Sequence, residues 1–369
     1  MPSLNYRCYA IPEISALRHP LILGVTPPPQ CPHSIDKKPF AYTMMGGEGR
    51  ISLNLHRKLF HIFIVLLTLY AGWSCVPSDQ GSAGTNLIPK SKDTQVVILG
   101  TGTPNINPRR FGACVAIIVN GKPYLVDFGP GTVQQASAAY EAGIKALAMQ
   151  NLTIAFLTHI HSDHTAGFAD LILTPWILGR TQPLRVFGPP GIIAMSNHIL
   201  SAYRRGIRMR IEGAEKADPS GYKVFSEEIK PGLIYEDDNV KVKAFPVKHG
   251  AFQYAFGYRF ETPSRIIVIS GDTIPTESLI ANATGCDILI HEVYSMAWFQ
   301  SHSPKDQKYH ASSHTSSLEL AEIANRTRPR LLVLTHQLMQ PEETEQDLLN
   351  EVRRHYKGKV AYGRELNVF

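Results

Sequence analysis

Four side chains that can bind a metal fall within one short stretch, His159-Ile160-His161-Ser162-Asp163-His164. The apolar run 152–157 leads directly into them and is typical of a buried strand. The run that follows, 165–172, predicts the start of a helix. The pattern therefore places the four side chains on a loop at the carboxyl end of a strand, where α/β folds carry their chemistry.

These residue types at this spacing suit a pair of metal ions. Imidazole nitrogen and carboxylate oxygen both bind Zn²⁺ at about 2.0–2.2 Å. Because side chains alternate along an extended segment, His159 and His161 project to the same side and can hold one ion. Asp163 and His164 follow where the chain turns, so they can reach a second ion about 3.5–4 Å away. A polar loop with helix-capping or solvent-facing histidines would explain one such residue, but it explains four poorly.

The motif resembles the signature of the metallo-β-lactamase fold superfamily. That resemblance implies a four-layered αβ/βα sandwich, an α/β fold of two similar halves with the metals at the sheet edges. It also implies three more ligands, and the sequence has a candidate after each of three short β-rich runs: His249, Asp272 and His336.

The resemblance assigns the seven ligands to two zinc ions, with Mn²⁺ or Fe²⁺ as alternatives. The first ion takes His159, His161 and His249, and the second takes Asp163, His164 and His336. Asp272 bridges them.

Further matches resemble the tRNase Z and arylsulfatase branch of that superfamily. They include Gly179-Arg180, the run 255–260, His291-Glu292 and His314-Thr315. The resemblance makes His314 the proton donor to the leaving group, with Glu292 in support. Asp163 would also orient or deprotonate the attacking water, and Asp127 would support the metal-binding loops without binding metal. For Asp127 the alternative is a plain turn or helix-capping aspartate, and for His314 it is a position beside an N-cap Thr or Ser.

The function that this resemblance implies best is hydrolysis of phosphodiesters, with a small phosphodiester or RNA as substrate. An arylsulfatase, a lactonase or another esterase is the alternative. A di-iron oxidoreductase fits less well, because that branch usually has Glu where this chain has His161. A non-catalytic binding protein fits less well because all seven ligands are present. Many tRNase Z enzymes carry a long glycine-rich arm, and the short link between Tyr258 and Gly271 leaves no room for one.

Composition adds weaker constraints. The formal charge of +6 is compatible with a phosphate-bearing substrate or an anionic membrane. The basic stretch 204–210 is either a solvated helix face or a phosphate-facing patch. Five cysteines without a Cys-x-x-Cys pair argue against a disulfide scaffold and against a thiolate zinc site. Local patterns predict a hairpin over 114–126 and helices over 132–148, 192–204 and 318–325.

The first 93 residues read as a separate region. We interpret residues 1–43 as a mis-assigned or disordered extension, 44–75 as a signal peptide or lipoprotein signal, and 76–93 as a linker before a metallo-hydrolase domain over 94–369. Arg57 and Lys58 precede the apolar run 59–71, which is short for a membrane span. Cys75 is a lipidation candidate. We therefore expect a homodimer that is secreted, periplasmic or envelope-anchored, in the last case attached to the membrane through that signal or lipid. A disordered extension with an uncleaved anchor is the alternative.

Overall fold

The computed structural model describes residues 94–369, so the predicted extension, signal segment, linker and Cys75 lie outside the described residues. Two β-sheets organise the described part, one of six strands and one of seven. In each sheet, antiparallel neighbours come first along the chain and parallel neighbours follow. This repeat confirms the predicted sandwich of two similar halves.

The strands are numbered in chain order. Strands β1 to β6 form the first sheet: Gln95–Gly100, Cys114–Val119, Lys122–Val126, Ile154–Phe156, Leu184–Gly188 and Val224–Glu228. Strands β7 to β13 form the second sheet: Gly232–Glu236, Lys241–Pro246, Phe256–Glu261, Ile266–Ile269, Ile288–Tyr294, Leu331–Leu338 and Val360–Tyr362. The predicted hairpin is confirmed, because β2 and β3 pair antiparallel across a two-residue turn at 120–121.

The helices of residues 94–369 are also numbered in chain order. Helices α1 to α9 are Thr132–Glu141, Ser162–Thr165, Phe168–Ile177, Ile192–Glu212, Glu277–Ala283, Met296–Gln300, Pro304–Ala311, Ser317–Thr327 and Glu345–His355. Within residues 94–369, no helix has both the length and the apolar composition needed to cross a bilayer.

The largest apolar cluster lies between the two sheets. The Phe156 ring of the first sheet packs at 5.7 Å from Tyr258 and 5.4 Å from Phe260 of the second. Full burial of a side chain of this size contributes about 1.5–3 kcal/mol. The outer faces of the sheets are covered by helices, α1, α3 and α4 on the first and α5, α8 and α9 on the second. These contacts make the four layers.

Two helices differ in length from the prediction. Helix α1 ends at Glu141 instead of continuing to 148, because Gly143 has a φ of +106° and such left-handed glycines end helices. Helix α4 continues past 204 to Glu212, since the residues beyond 204 include good helix formers. The basic stretch 204–210 lies on this exposed extension, where Arg208 pairs with Glu212 at 3.3 Å. The solvated-face interpretation is the one this placement favours.

The parallel strands bring their carboxyl ends to one edge of each sheet, and the ligand candidates lie there. Asp127 follows β3 and His159 follows β4, while Asp272 follows β10. Strands β9 and β10 are joined by a tight turn at 262–265, in which the Thr262 amide donates to the Arg265 carbonyl at 3.0 Å. The link that the sequence predicted to lack a long arm is therefore a simple hairpin turn.

Candidate metal centre

The contiguous motif is split between a loop and a short helix. His159 and His161 lie on the loop after β4, and Asp163 and His164 lie in α2. Helix α2 is only four residues long, and α3 begins separately at Phe168. Gly167 between them is required by close packing, because a Cβ there would meet the Gly129 carbonyl oxygen at 2.2 Å. The predicted helix thus begins later than the sequence indicated, and the two motif halves point inward from different elements.

The first donor set consists of three histidines and one aspartate, whose ligand atoms lie within 4.8 Å of one another: His159, His161, His249 and Asp272. His161 Nδ1 lies 3.0 Å from His159 Nε2 and 3.1 Å from His249 Nε2. Ligands of a tetrahedral zinc with bonds of about 2.0–2.1 Å are separated by roughly 3.3 Å, which is close to this spacing.

The second donor set has the same compactness and shares one residue with the first: Asp163, His164, Asp272 and His336. Asp163 Oδ2 lies 3.0 Å from His336 Nε2 and 3.5 Å from His164 Nε2. Asp272 Oδ1 lies 3.4 Å from His164 Nε2, and its Oδ2 lies 3.5 Å from His336 Nε2. The structure therefore brings together the two groups that the sequence assigned to two ions, with Asp272 in both.

Hydrogen bonds fix which imidazole nitrogens face the centre. His249 Nδ1 donates to the Ser313 carbonyl at 2.7 Å, and His164 Nδ1 lies 2.8 Å from Asp127 Oδ2. A proton on each Nδ1 leaves the Nε2 lone pair available to a metal, as is typical of metal-binding histidines. His164 Nε2 is buried and makes no hydrogen bond. Such buried lone pairs usually have a partner, so these residues fit a bound cation.

Electrostatics favour the same conclusion. Burial lowers the pKa of His159 well below its ordinary value and that of His249 to about 4, which keeps both rings neutral, as metal ligands must be. Burial alone would lower the pKa of His164, but the Asp272 and Asp127 carboxylates raise it well above the ordinary value. The carboxylates therefore favour positive charge at this position.

Asp127 lies beneath the loop and not among the ligand groups. Its Oδ1 accepts from the Thr158 amide at 2.8 Å, and its Oδ2 accepts from the Thr158 hydroxyl at 3.0 Å. The same Oδ2 orients the His164 ring. Asp127 has a φ of +61°, an uncommon value for a non-glycine residue. These contacts are those of the supporting residue that the sequence predicted.

His336 reaches the centre through an irregularity that the sequence did not indicate. The prediction ended the strand before His336, but β12 continues to Leu338. The pairing with β11 shifts between Glu292–Thr335 and Val293–Gln337, so His336 is the extra residue of a bulge. The bulge gives the His336 backbone a φ of +44°, in the left-handed region. Bulges commonly redirect a side chain beside an active site, and this one places His336 in the second donor set.

Glu292 and His314 form a buried pair beside both donor sets. His314 Nδ1 lies 3.1 Å from each carboxylate oxygen of Glu292, and the Thr273 amide donates to Glu292 Oε1 at 2.9 Å. Burial would lower the pKa of His314, but Glu292 raises it to about 9. Ser316 makes the cap of α8, so His314 does lie beside an N-cap Ser, as the alternative interpretation describes. Its catalytic role stays a prediction.

Phe252 is among the residues of the centre that the sequence missed. Its ring lies 4.5 Å from the ring of His161 and 5.6 Å from that of His249, centroid to centroid. The available signal was an aromatic side chain in a short loop directly after a ligand. Ser313 was also missed, because it acts through its backbone carbonyl and leaves no sequence signal.

A groove of about 510 Å³ opens next to Asp163. One wall is the loop 102–112, which carries Asn105, Asn107 and Arg110, and the other includes Gln134 near the start of α1. Most of its surface is apolar, with Ile106 and Phe111 in the lining, and the amide side chains add hydrogen-bonding groups. The arrangement can hold a hydrogen-bonding group within reach of the second donor set.

Comparison with known proteins agrees with this geometry. Residues 123–337 match the family model described as the beta-lactamase superfamily domain. A ribonuclease Z of Mycobacterium sp. (strain KMS) is 32% identical over 247 residues, which cover 66% of this chain and 84% of that relative. A ribonuclease Z of Mycolicibacterium paratuberculosis is 31% identical over 282 residues, covering 74% and 96%.

Solved structures are similar in fold. The short form of human tRNase Z superposes with a TM-score of 0.55 at 22% identity, covering 74% of this chain and 98% of that one. The metallo-beta-lactamase fold protein YhfI from Bacillus subtilis gives a TM-score of 0.57 at 18% identity, covering 75% and 98%.

Proposed function

The chain belongs to the metallo-β-lactamase fold superfamily and is a hydrolytic enzyme, and we propose that it is a dinuclear zinc phosphodiesterase acting on RNA or on small phosphodiesters. One observation carries the proposal. Two four-residue donor sets share Asp272, and the Glu292–His314 pair lies beside both. Paired metals at about 3.5–4 Å are a recurrent device of phosphodiester cleavage.

The ions, when bound, would supply a hydroxide nucleophile near neutral pH and stabilise the negative charge that develops on phosphorus. Asp163 Oδ1 is buried and makes no hydrogen bond, so it can accept one from the nucleophile and orient it. Glu292 holds His314 by Nδ1, which leaves the other ring nitrogen to give its proton to the departing oxygen. The Thr273 and Thr315 amides hold the Glu292 carboxylate in turn.

The relatives named ribonuclease Z support RNA as the substrate class. The tight turn between β9 and β10 supports substrates smaller than a whole precursor tRNA, because a long tRNA-gripping arm is absent at that place. The groove beside Asp163 is large enough for one nucleotide-sized group of a phosphodiester, and its mainly apolar lining includes the amide side chains of Asn105, Asn107 and Gln134.

The test is turnover by the purified, zinc-loaded protein on a matched panel. The panel contains bis(p-nitrophenyl) phosphate, p-nitrophenyl sulfate, a lactone and a precursor tRNA. We expect fast cleavage of the diester, weak binding of the tRNA, and loss of activity on chelation with recovery on adding zinc. Inertness toward both phosphodiesters together with cleavage of the sulfate or the lactone would overturn the substrate class. Absence of bound transition metal with activity unchanged by a chelator would overturn the metal requirement.

A further inference from the structure

An aromatic ring forms one wall of the first donor set. The Phe252 ring meets the His161 ring edge to face, at 4.5 Å and 88°, and it stacks on His249 at 5.6 Å and 15°. It also meets the His159 ring at 5.5 Å. Phe252 therefore contacts all three histidines that would hold the first ion.

The backbone around Phe252 is fixed on both sides. Its amide donates to the His249 carbonyl at 3.0 Å, and the Gly250 amide donates to the Ser312 carbonyl at 3.1 Å. The loop closes where the Val247 amide donates to Ala255 at 3.0 Å. Gly250 has a φ of +52°, which lets the chain turn directly after the ligand His249. The ring is therefore held in place and does not hang from a free loop.

The packing of Phe252 is not that of a core residue. Within residues 94–369 it belongs to none of the buried apolar clusters, and its side chain remains partly exposed. Tyr254, two residues later in the same loop, is 44% exposed. A partly exposed ring beside converging metal ligands keeps part of its surface free of protein contacts, close to the place where a substrate would bind.

The groove beside Asp163 is built differently. Asn105, Asn107 and Gln134 offer hydrogen bonds there, among apolar residues that include Ile106 and Phe111. The two ester groups of a phosphodiester diverge from phosphorus, so one of them can meet this mixed lining while the other meets the ring of Phe252, which lies against the first donor set.

We propose that Phe252 determines specificity by stacking against a flat aromatic group of the substrate, a nucleobase or an aryl ring. This inference rests on the proposed phosphodiesterase function and narrows it to diesters whose non-leaving ester group carries such a ring. Stacking of a base on a protein ring is tolerant of base identity, because every base has a π face. The preference is therefore for aromatic over alkyl esters and not for one base.

The test uses three diesters with the same p-nitrophenolate leaving group and a thymidine, a phenyl or a methyl group on the other ester. We expect the parent protein to favour the thymidine and phenyl esters over the methyl ester in kcat/KM. In Phe252→Ala and Phe252→Leu that ratio should fall about 10-fold, mainly through KM, because stacking acts on bound substrate and transition state alike. Phe252→Trp should keep the ratio. Comparing the phenyl ester with the thymidine ester distinguishes a subsite that accepts any aryl ring from one that also recognises the rest of the nucleoside.

Two results would overturn the inference alone. One is a parent protein that cleaves all three esters without preference. The other is an equal loss on all three esters in Phe252→Ala that Phe252→Leu restores, together with lower metal content by elemental analysis, since the ring would then only cover the ligands. Failure of the parent to cleave any of the three esters would overturn the proposed function and this inference with it.

Discussion

Two carboxylate clusters join the halves of the molecule, and they are built in opposite ways. Asp237 lies near the start of β3, where its Oδ2 accepts from Lys122 Nζ, the Tyr124 hydroxyl and the Tyr235 hydroxyl, each at 2.7 Å. Lys122 and Tyr124 belong to the first sheet and Tyr235 to the second. Its Oδ1 accepts from the backbone amides of Asn239 and Val240, so both carboxylate oxygens meet donors from the protein itself.

Asp272 lies beyond the other end of the strands, and its partners are imidazole nitrogens. His164 Nε2 is 3.4 Å away, His336 Nε2 is 3.5 Å away and His159 Nε2 is 3.9 Å away. Burial would raise the pKa of Asp272, but His336 and His164 hold it well below its ordinary value. Here the carboxylate is stabilised by positive charge, either on the imidazoles or on a cation that they would hold. A cluster closed by its own donors stabilises the fold, whereas a cluster of converging lone pairs needs a cation.

The largest expected effect comes from breaking the cluster that lacks its own donors. Asp272→Ala removes a ligand from both donor sets, so we expect loss of bound metal and a fall in turnover beyond the roughly 10²–10⁴-fold that removal of a general acid costs. Elemental analysis and the rate on bis(p-nitrophenyl) phosphate measure this. Asp237→Asn is the matched control and should retain its metal. Full metal content in Asp272→Ala would contradict the bridging assignment.

A smaller effect is expected beside that cluster. His314→Ala leaves all seven ligands in place, so metal content should not change, while turnover falls by roughly 10²–10⁴-fold if His314 is the general acid. Esters with better leaving groups should be less affected, because their departing oxygen needs less protonation. An unchanged rate, or a loss independent of the leaving group, would remove His314 from the mechanism.

The smallest expected effect concerns the Asp237 cluster, whose carboxylate is hydrogen-bonded by donors of the protein. Burial alone would raise the pKa of Asp237, but the hydrogen bonds from Lys122, Tyr124 and Tyr235 hold it well below its ordinary value. The stability this provides is present above about pH 4, the pKa of an unfolded Asp, and is lost as the pH falls toward the folded value. We expect Asp237→Asn to lower the free energy of unfolding at pH 7 by about 1 kcal/mol, because the group is partly exposed.

That difference should shrink between pH 5 and pH 3. Urea unfolding of both metal-free proteins in chelator measures it without interference from metal loss. If the difference in unfolding free energy between the two proteins stayed constant or grew on acidification, the conclusion that the folded protein lowers the pKa of Asp237 would be contradicted.

The sequence alone determined the parts of this protein that are local. Four ligands fall between His159 and His164, so period-two alternation and a turn suffice to aim them at two ions. The apolar runs before His249 and Asp272 placed those residues after strand ends, whereas His336 lies inside β12, and the family resemblance ordered all three. The supporting position of Asp127 followed from the same resemblance.

The tertiary structure decided what depends on packing between distant segments. The bulge at His336 arises from pairing between β11 and β12, and no local pattern marks it. The Ser313 carbonyl orients His249 across 64 residues of sequence. The place of Phe252 over three histidines depends on how its loop closes. The helix ends at 141 and 212 were also not predicted. The first depends on a single left-handed glycine and the second on an exposed extension of the helix, and neither changes the apolar pattern of the sequence much. Short motifs specify which side chains can act, whereas the orientation of those side chains depends on contacts that form only when the two halves pack together.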